Sequence, residues 1–95
     1  MTEKEPAEVA IKLKIMPNGV DTDLEAIKTI GKQKIEEQEG LINNYEEQPI
    51  AFGLKAIIAT ISWSEAKDTD IVENIFKSIE GVSSVDIIDY RRAFG

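Results

Sequence analysis

Cysteine and histidine are both absent from the 95 residues, which excludes disulfides, thiol nucleophiles, Cys/His zinc sites and imidazole general bases together. Basic residues are outnumbered, 11 against 18 acidic, and the formal charge of −7 repels phosphate backbones and anionic lipid. Long apolar runs are missing too. Leu54 to Trp63 is too short to span a bilayer and contains Lys55, while Met1 to Ala7 alternates charge around no apolar core, unlike a signal peptide. Direct nucleic-acid and membrane partners are therefore not expected, and a cytoplasmic location follows by default. The six glycines stand singly, so no phosphate-cradling loop is formed.

What is present suits one small domain. At 42% hydrophobic residues the chain can close a single core, with little of it to spare for a deep pocket, so a surface site is expected. Met1 to Glu8 reads as a flexible tail and residues 9–95 as the domain. Val9, Ile11, Leu13 and Ile15 alternate with Ala10, Lys12 and Lys14, the period of a strand with one buried face. Pro17-Asn18-Gly19 stops it. Asp21-Thr22-Asp23 can cap a helix, with Thr22 and Glu25 fitting a capping box. Leu24, Ile27, Gly31 and Ile35 share a helical face, with Lys28, Lys32, Glu36 and Glu39 outward and Gly40 ending the helix.

Leu41 to Glu47 reads as a short edge strand with Leu41, Asn43 and Tyr45 on one face and Ile42 on the other. Leu54 to Trp63, rich in β-branched residues, reads as a central strand. A second helix starts at Asp68-Thr69-Asp70 and stops at Gly81, and Val82 to Tyr90 completes the sheet. The order is β-α-β-β-α-β, an α+β ferredoxin-like sandwich with two helices on one face of a four-stranded, mostly antiparallel sheet. Lys12 and Lys14 would lie on the open face. Base-stacking modules use this topology, but they need sheet aromatics in a basic surround, and strands one and three offer only Trp63, which reads as a core or rim residue like Phe76.

The paired carboxylates Asp21/Asp23 and Asp68/Asp70 suit the first turn of a helix better than a metal or acid/base site, and Glu36-Glu37-Gln38-Glu39 reads as a solvated helix face. No cofactor or metal is expected. The segment Gln48 to Gly53 differs, because Ile50, Ala51 and Phe52 stand between strands where polar residues usually serve. Two readings stay open for Phe52: a partner contact, or a core residue that opens the third strand and tucks under a helix. Pro49 and Gly53 bracket the segment, one fixing φ and the other relaxing it. Arg91-Arg92, followed by Ala93-Phe94-Gly95, is an adjacent basic pair at the end of the fourth strand, read either as a contact or as a solubilising tail.

These residues resemble the archaeal translation elongation factor 1-beta family of guanine-nucleotide exchange factors. The likeness runs through Lys14-Ile15-Met16-Pro17, Asp23-Leu24-Glu25, Glu47-Gln48-Pro49-Ile50-Ala51-Phe52-Gly53-Leu54, Ile79-Glu80-Gly81-Val82 and Asp89-Tyr90-Arg91-Arg92. The resemblance implies a protein that binds the GTPase elongation factor 1-alpha and promotes GDP release without covalent chemistry; the free domain is expected to be a monomer. It implies that Phe52 inserts into the nucleotide-binding domain. In eukaryotic relatives a lysine next to the C-terminus also reaches the magnesium and phosphate site; aligned on Asp89, that position holds Gly95, so Arg91 and Arg92 do not match it.

The energetics call for more than one contact. A thousandfold weakening of nucleotide needs about 4 kcal/mol, whereas burying one Phe contributes roughly 1.5 to 3 kcal/mol. Arg91, Arg92 and Phe94 are the expected source of the second contact. A small ligand-binding regulatory domain, or a small carboxylate-using enzyme, is the alternative that the ferredoxin-like topology leaves open.

Overall fold

The computed structural model describes residues 8–92. β1 (Glu8–Pro17), α1 (Leu24–Glu37), β2 (Leu41–Pro49), β3 (Lys55–Ser64), α2 (Asp70–Lys77) and β4 (Val82–Arg92) follow in that order. The strands form an antiparallel sheet in the order β2-β3-β1-β4, so the two most apolar segments are central and the two more polar ones form the edges. This is the ferredoxin-like α+β arrangement. β1 begins at Glu8, one residue earlier than the alternation suggests, because Glu8 pairs with Ser64.

Val9, Ile11, Leu13 and Ile15 of β1 face Trp63, Ile61, Ala59 and Ile57 of β3 in register, and all eight are buried. The helices close over this layer with Ile27, Ile35, Val72 and Phe76. Trp63 and Phe76 are core residues, not rim residues. The helices meet where Gly31 of α1 faces the Phe76 ring, so closely that a methyl group on Gly31 would stand 2.2 Å from ring carbon Cε1.

Several local expectations change. Asp23, not Thr22, is the N-cap of α1 and accepts from the Ala26 amide at 3.2 Å. Thr22 is turned back to donate to Asn18 Oδ1 at 3.3 Å, so no capping box forms. α1 stops at Glu37, and Glu39 rather than Gly40 adopts the left-handed conformation, φ 69°. α2 is shorter than its apolar spacing suggests, running from Asp70 to Lys77.

In β2 the pairing shifts between Ile42 and Asn44. Asn43 is thus an inserted residue, and a bulge of this kind reverses which face the flanking residues show. Ile42 and Tyr45, three apart, then both point to the core side opposite Ile61 and Ala59, while Leu41 is left half exposed. The expected face of Leu41, Asn43 and Tyr45 is broken by that one extra residue.

Candidate functional site

The β2–β3 connection is a rigid turn. The Ile50 amide donates to the Leu54 carbonyl at 2.8 Å and the Leu54 amide donates to the Ala51 carbonyl at 2.9 Å. Between them Phe52 and Gly53 have φ of 55° and 80°. Two consecutive positive-φ residues inside a closed four-residue turn define a type I′ turn, which ordinarily takes Asn-Gly. Here Phe stands where Asn would. Its side chain is 95% exposed, because β3 begins only at Lys55 and Phe52 lies beyond the last strand pair, Pro49 opposite Lys55. The core reading of Phe52 is thereby overturned. Pro49, Ile50, Ala51 and Gly53 are exposed around it.

The strand that carries this turn is fastened to α1. The Tyr45 hydroxyl donates to the Lys28 carbonyl at 2.8 Å, and Lys28 Nζ donates to Glu47 at 2.7 Å and to Glu25 at 3.1 Å. Lys28 is therefore not an outward solvent residue: its side chain lies over the sheet edge, drawn there because Glu47, opposite Ile57, points to the helix side. Burial pushes the Tyr45 hydroxyl up to about 12, so it stays protonated as a donor. The Lys28 hydrogen bond, and then its charge, hold the Glu47 carboxyl below the usual glutamate value. The bond to Glu47 in turn raises Lys28 against the opposing effect of burial.

The depressed Glu47 group stabilises the fold above the ordinary glutamate value, 4.5, and that contribution is lost as pH falls through the folded one. Lys28, raised, contributes below the ordinary lysine value, 10.5, and loses the contribution as pH rises through its folded one. The melting-temperature gap between wild type and Glu47→Gln is expected to be largest between those two pH values and to close in acid. Thermal melts across the range check this; a gap unchanged at pH 3 contradicts it.

A further apolar residue joins the same end of the molecule. Val20, in the β1–α1 connection, is 63% exposed, and a methyl group on Gly53 would lie 3.5 Å from Val20 Cγ1. Between the two connections is an open hollow of about 270 Å³ lined by Pro17, Gly19, Val20, Leu24, Gly53 and Lys55, among others. Val20 carries the same signal as Phe52, an apolar residue inside a polar turn, Asn18-Gly19-Val20-Asp21. No strand alternation follows it, because the next element is α1.

The structure does not bring Arg91 and Arg92 to this end. They pair with Ala10 and Val9, whereas the Phe52 turn lies beyond Ile15 and Ile57, so a strand length of about 25 Å separates them. Each already holds a carboxylate within the chain: Arg91 Nε to Asp89 at 3.0 Å and Arg92 to Glu65 at 2.6 Å. Phe94 lies outside the described residues. Among the paired aspartates, Asp23 caps α1 and Asp68 accepts from the Asp70 amide at 3.3 Å. Among the described residues, no three carboxylates gather into a metal-binding group, and no helix is long and apolar enough to cross a membrane.

Residues 10–92 match the family model described as the EF-1 guanine nucleotide exchange domain. The chain is 41% identical over 86 residues to the elongation factor 1-beta of Methanosarcina barkeri, covering 90% of this chain and 97% of that one. It is 38% identical to the elongation factor 1-beta of Metallosphaera sedula, covering 90% and 94%. The corresponding protein of Methanocaldococcus jannaschii is 34% identical, with 87% and 94% covered.

Proposed function

The chain belongs to the EF-1 guanine nucleotide exchange domain family, and from that membership we propose that it binds the GTPase elongation factor 1-alpha and accelerates GDP release, so that GTP can rebind during protein synthesis. The observation that carries the proposal is Phe52: a large aromatic fully presented to solvent from a backbone conformation that costs about 1 to 3 kcal/mol for a non-glycine residue. Exposed aromatics on rigid turns are the usual anchors of protein interfaces, since burial on binding adds affinity with little ordering entropy left to lose.

Exchange needs no covalent step. It needs an interface that binds the nucleotide-free GTPase more tightly than the loaded one, because affinity common to both states shifts nothing. The chain acts from the cytoplasm as a monomer, through protein surface alone, with no cofactor or nucleic acid. Catalytic amounts of the protein should speed loss of fluorescent GDP from the cognate elongation factor 1-alpha. No acceleration at saturating concentration defeats the proposal.

The contact extends to Pro49, Ile50, Ala51 and Gly53 around the anchor, and to Arg91, Arg92 and Phe94 at the far end of the sheet. A separation of about 25 Å fits within one interface of standard size, about 800 Å² per partner. The double substitution Arg91→Ala with Arg92→Ala, combined with removal of residues 93–95, is expected to slow release severalfold. Unchanged rates remove the C-terminal contact from the interface.

A further inference from the structure

The hollow between the β1–α1 and β2–β3 connections has no assigned occupant. Its volume of about 270 Å³ is below the roughly 300 to 1,000 Å³ of small-molecule sites, and it is open to solvent beside the Phe52 turn. The polar groups along its wall have partners within the chain: the Glu47 carboxylate is held by Lys28 at 2.7 Å and more loosely by the half-exposed Lys55 at 3.9 Å, and Thr22 is held by Asn18 through its hydroxyl and by Gly19 through its amide. The exposed apolar residue on its wall is Val20, with Leu24 partly buried and Pro17 buried behind it, while Gly19 and Gly53 present only backbone. The β1–α1 connection is also held in shape, since the Asn18 amide donates to the Gly81 carbonyl at 2.9 Å and the Thr22 amide to the Gly19 carbonyl at 3.3 Å.

We infer that this hollow receives an aliphatic side chain of the GTPase immediately beside the point where Phe52 enters it, with Val20 as the principal contact. The inference rests on the exchange-factor reading. Phe52 projects outward and the hollow recedes next to it, so one partner surface meets both without spanning the length of the sheet. Val20 lies in van der Waals range of the Gly53 position, which makes the two apolar elements continuous. A partner surface that covers both Phe52 and Val20 reaches the hollow between the connections, where an apolar side chain would displace water.

The test is fluorescent GDP release from elongation factor 1-alpha at limiting concentrations of wild type, Val20→Ser, Val20→Asp, Phe52→Ala and the Arg91→Ala/Arg92→Ala pair. Val20 is mostly exposed, so its variants are expected to melt with wild type. Loss of one partly buried aliphatic side chain should lower release about fivefold in Val20→Ser, and the unpaired charge in Val20→Asp should lower it further. If Val20→Asp matches wild type while Phe52→Ala fails, the hollow is outside the interface and the inference falls, although exchange itself stands. If wild type gives no acceleration, the exchange reading fails and takes the inference with it. Direct titration of fluorescent GDP onto this chain alone completes the test: binding abolished by Val20→Asp makes the hollow a nucleotide pocket and overturns its assignment to a protein side chain.

Discussion

Phe52→Ala is expected to slow GDP release from elongation factor 1-alpha by about thirtyfold, the equivalent of about 2 kcal/mol for a hot-spot anchor, with no fall in melting temperature. Stability is spared because the ring is 95% exposed and alanine meets the same left-handed backbone that phenylalanine does. Phe52→Asn separates the two roles further. Asparagine tolerates positive φ and suits the first central position of a type I′ turn, so this variant should gain about 1 kcal/mol of stability while losing exchange as Phe52→Ala does. Denaturant unfolding and the release assay, run on the same three proteins, read both effects. A stability loss in Phe52→Ala, or full exchange activity in Phe52→Asn, contradicts the assignment. With both outcomes, stability and activity would pull on one residue in opposite directions, the pattern of strain retained for a functional purpose.

The second large effect lies in the core. Gly31→Ala would ordinarily favour a helix by about 1 kcal/mol, but here the new methyl group would stand 2.2 Å from Phe76 Cε1 and 2.6 Å from Cζ. Phe76 is fully buried among Val72, Ile79 and the strand residues, so its ring has no free space to swing into, and α1 must move off α2 instead. Overpacking of this kind costs about 1 to 3 kcal/mol, and in a domain of this size about 2 kcal/mol corresponds to a fall of roughly 10 °C in melting temperature. Adding Phe76→Leu to Gly31→Ala should recover part of the loss, although Phe76→Leu alone destabilises. Simple additivity of the two single changes, measured by thermal melts, would show that the clash is relieved elsewhere.

The elements were legible for different reasons: β1 because Val9 to Ile15 alternates with period two, β3 because Leu54 to Trp63 is nearly continuous in β-branched and apolar residues, as a central strand buried on both faces is, and α1 because Leu24, Ile27, Gly31 and Ile35 follow the 3.6 period. Ile42 was misread because a bulge shifts the alternation by one residue, and nothing in Leu41-Ile42-Asn43-Asn44 marks which residue is extra. The close approach of Gly31 to Phe76 joins two helices 45 positions apart and is invisible until the fold is closed. At the site, residue type singled out Phe52, but the choice between core and surface depended on where β3 begins, a matter of register. Val20 went unnoticed for the same reason, since its proximity to Gly53 is created by tertiary structure. Arg91 and Arg92 were legible as a basic pair, yet their distance from the turn follows only from β4 running antiparallel to β1.

Both outer strands carry inserted residues: Asn43 in β2, and Ile88 and Ser83 in β4, where the pairing with β1 jumps from Asp89 to Ile87 and from Ser84 to Val82. A bulge twists and interrupts the row of backbone donors and acceptors that a sheet edge would otherwise offer to another chain. With an aromatic ring and a valine exposed at one end, the molecule is thereby protected on its flanks: its sheet resists growing, strand by strand, into fibrils.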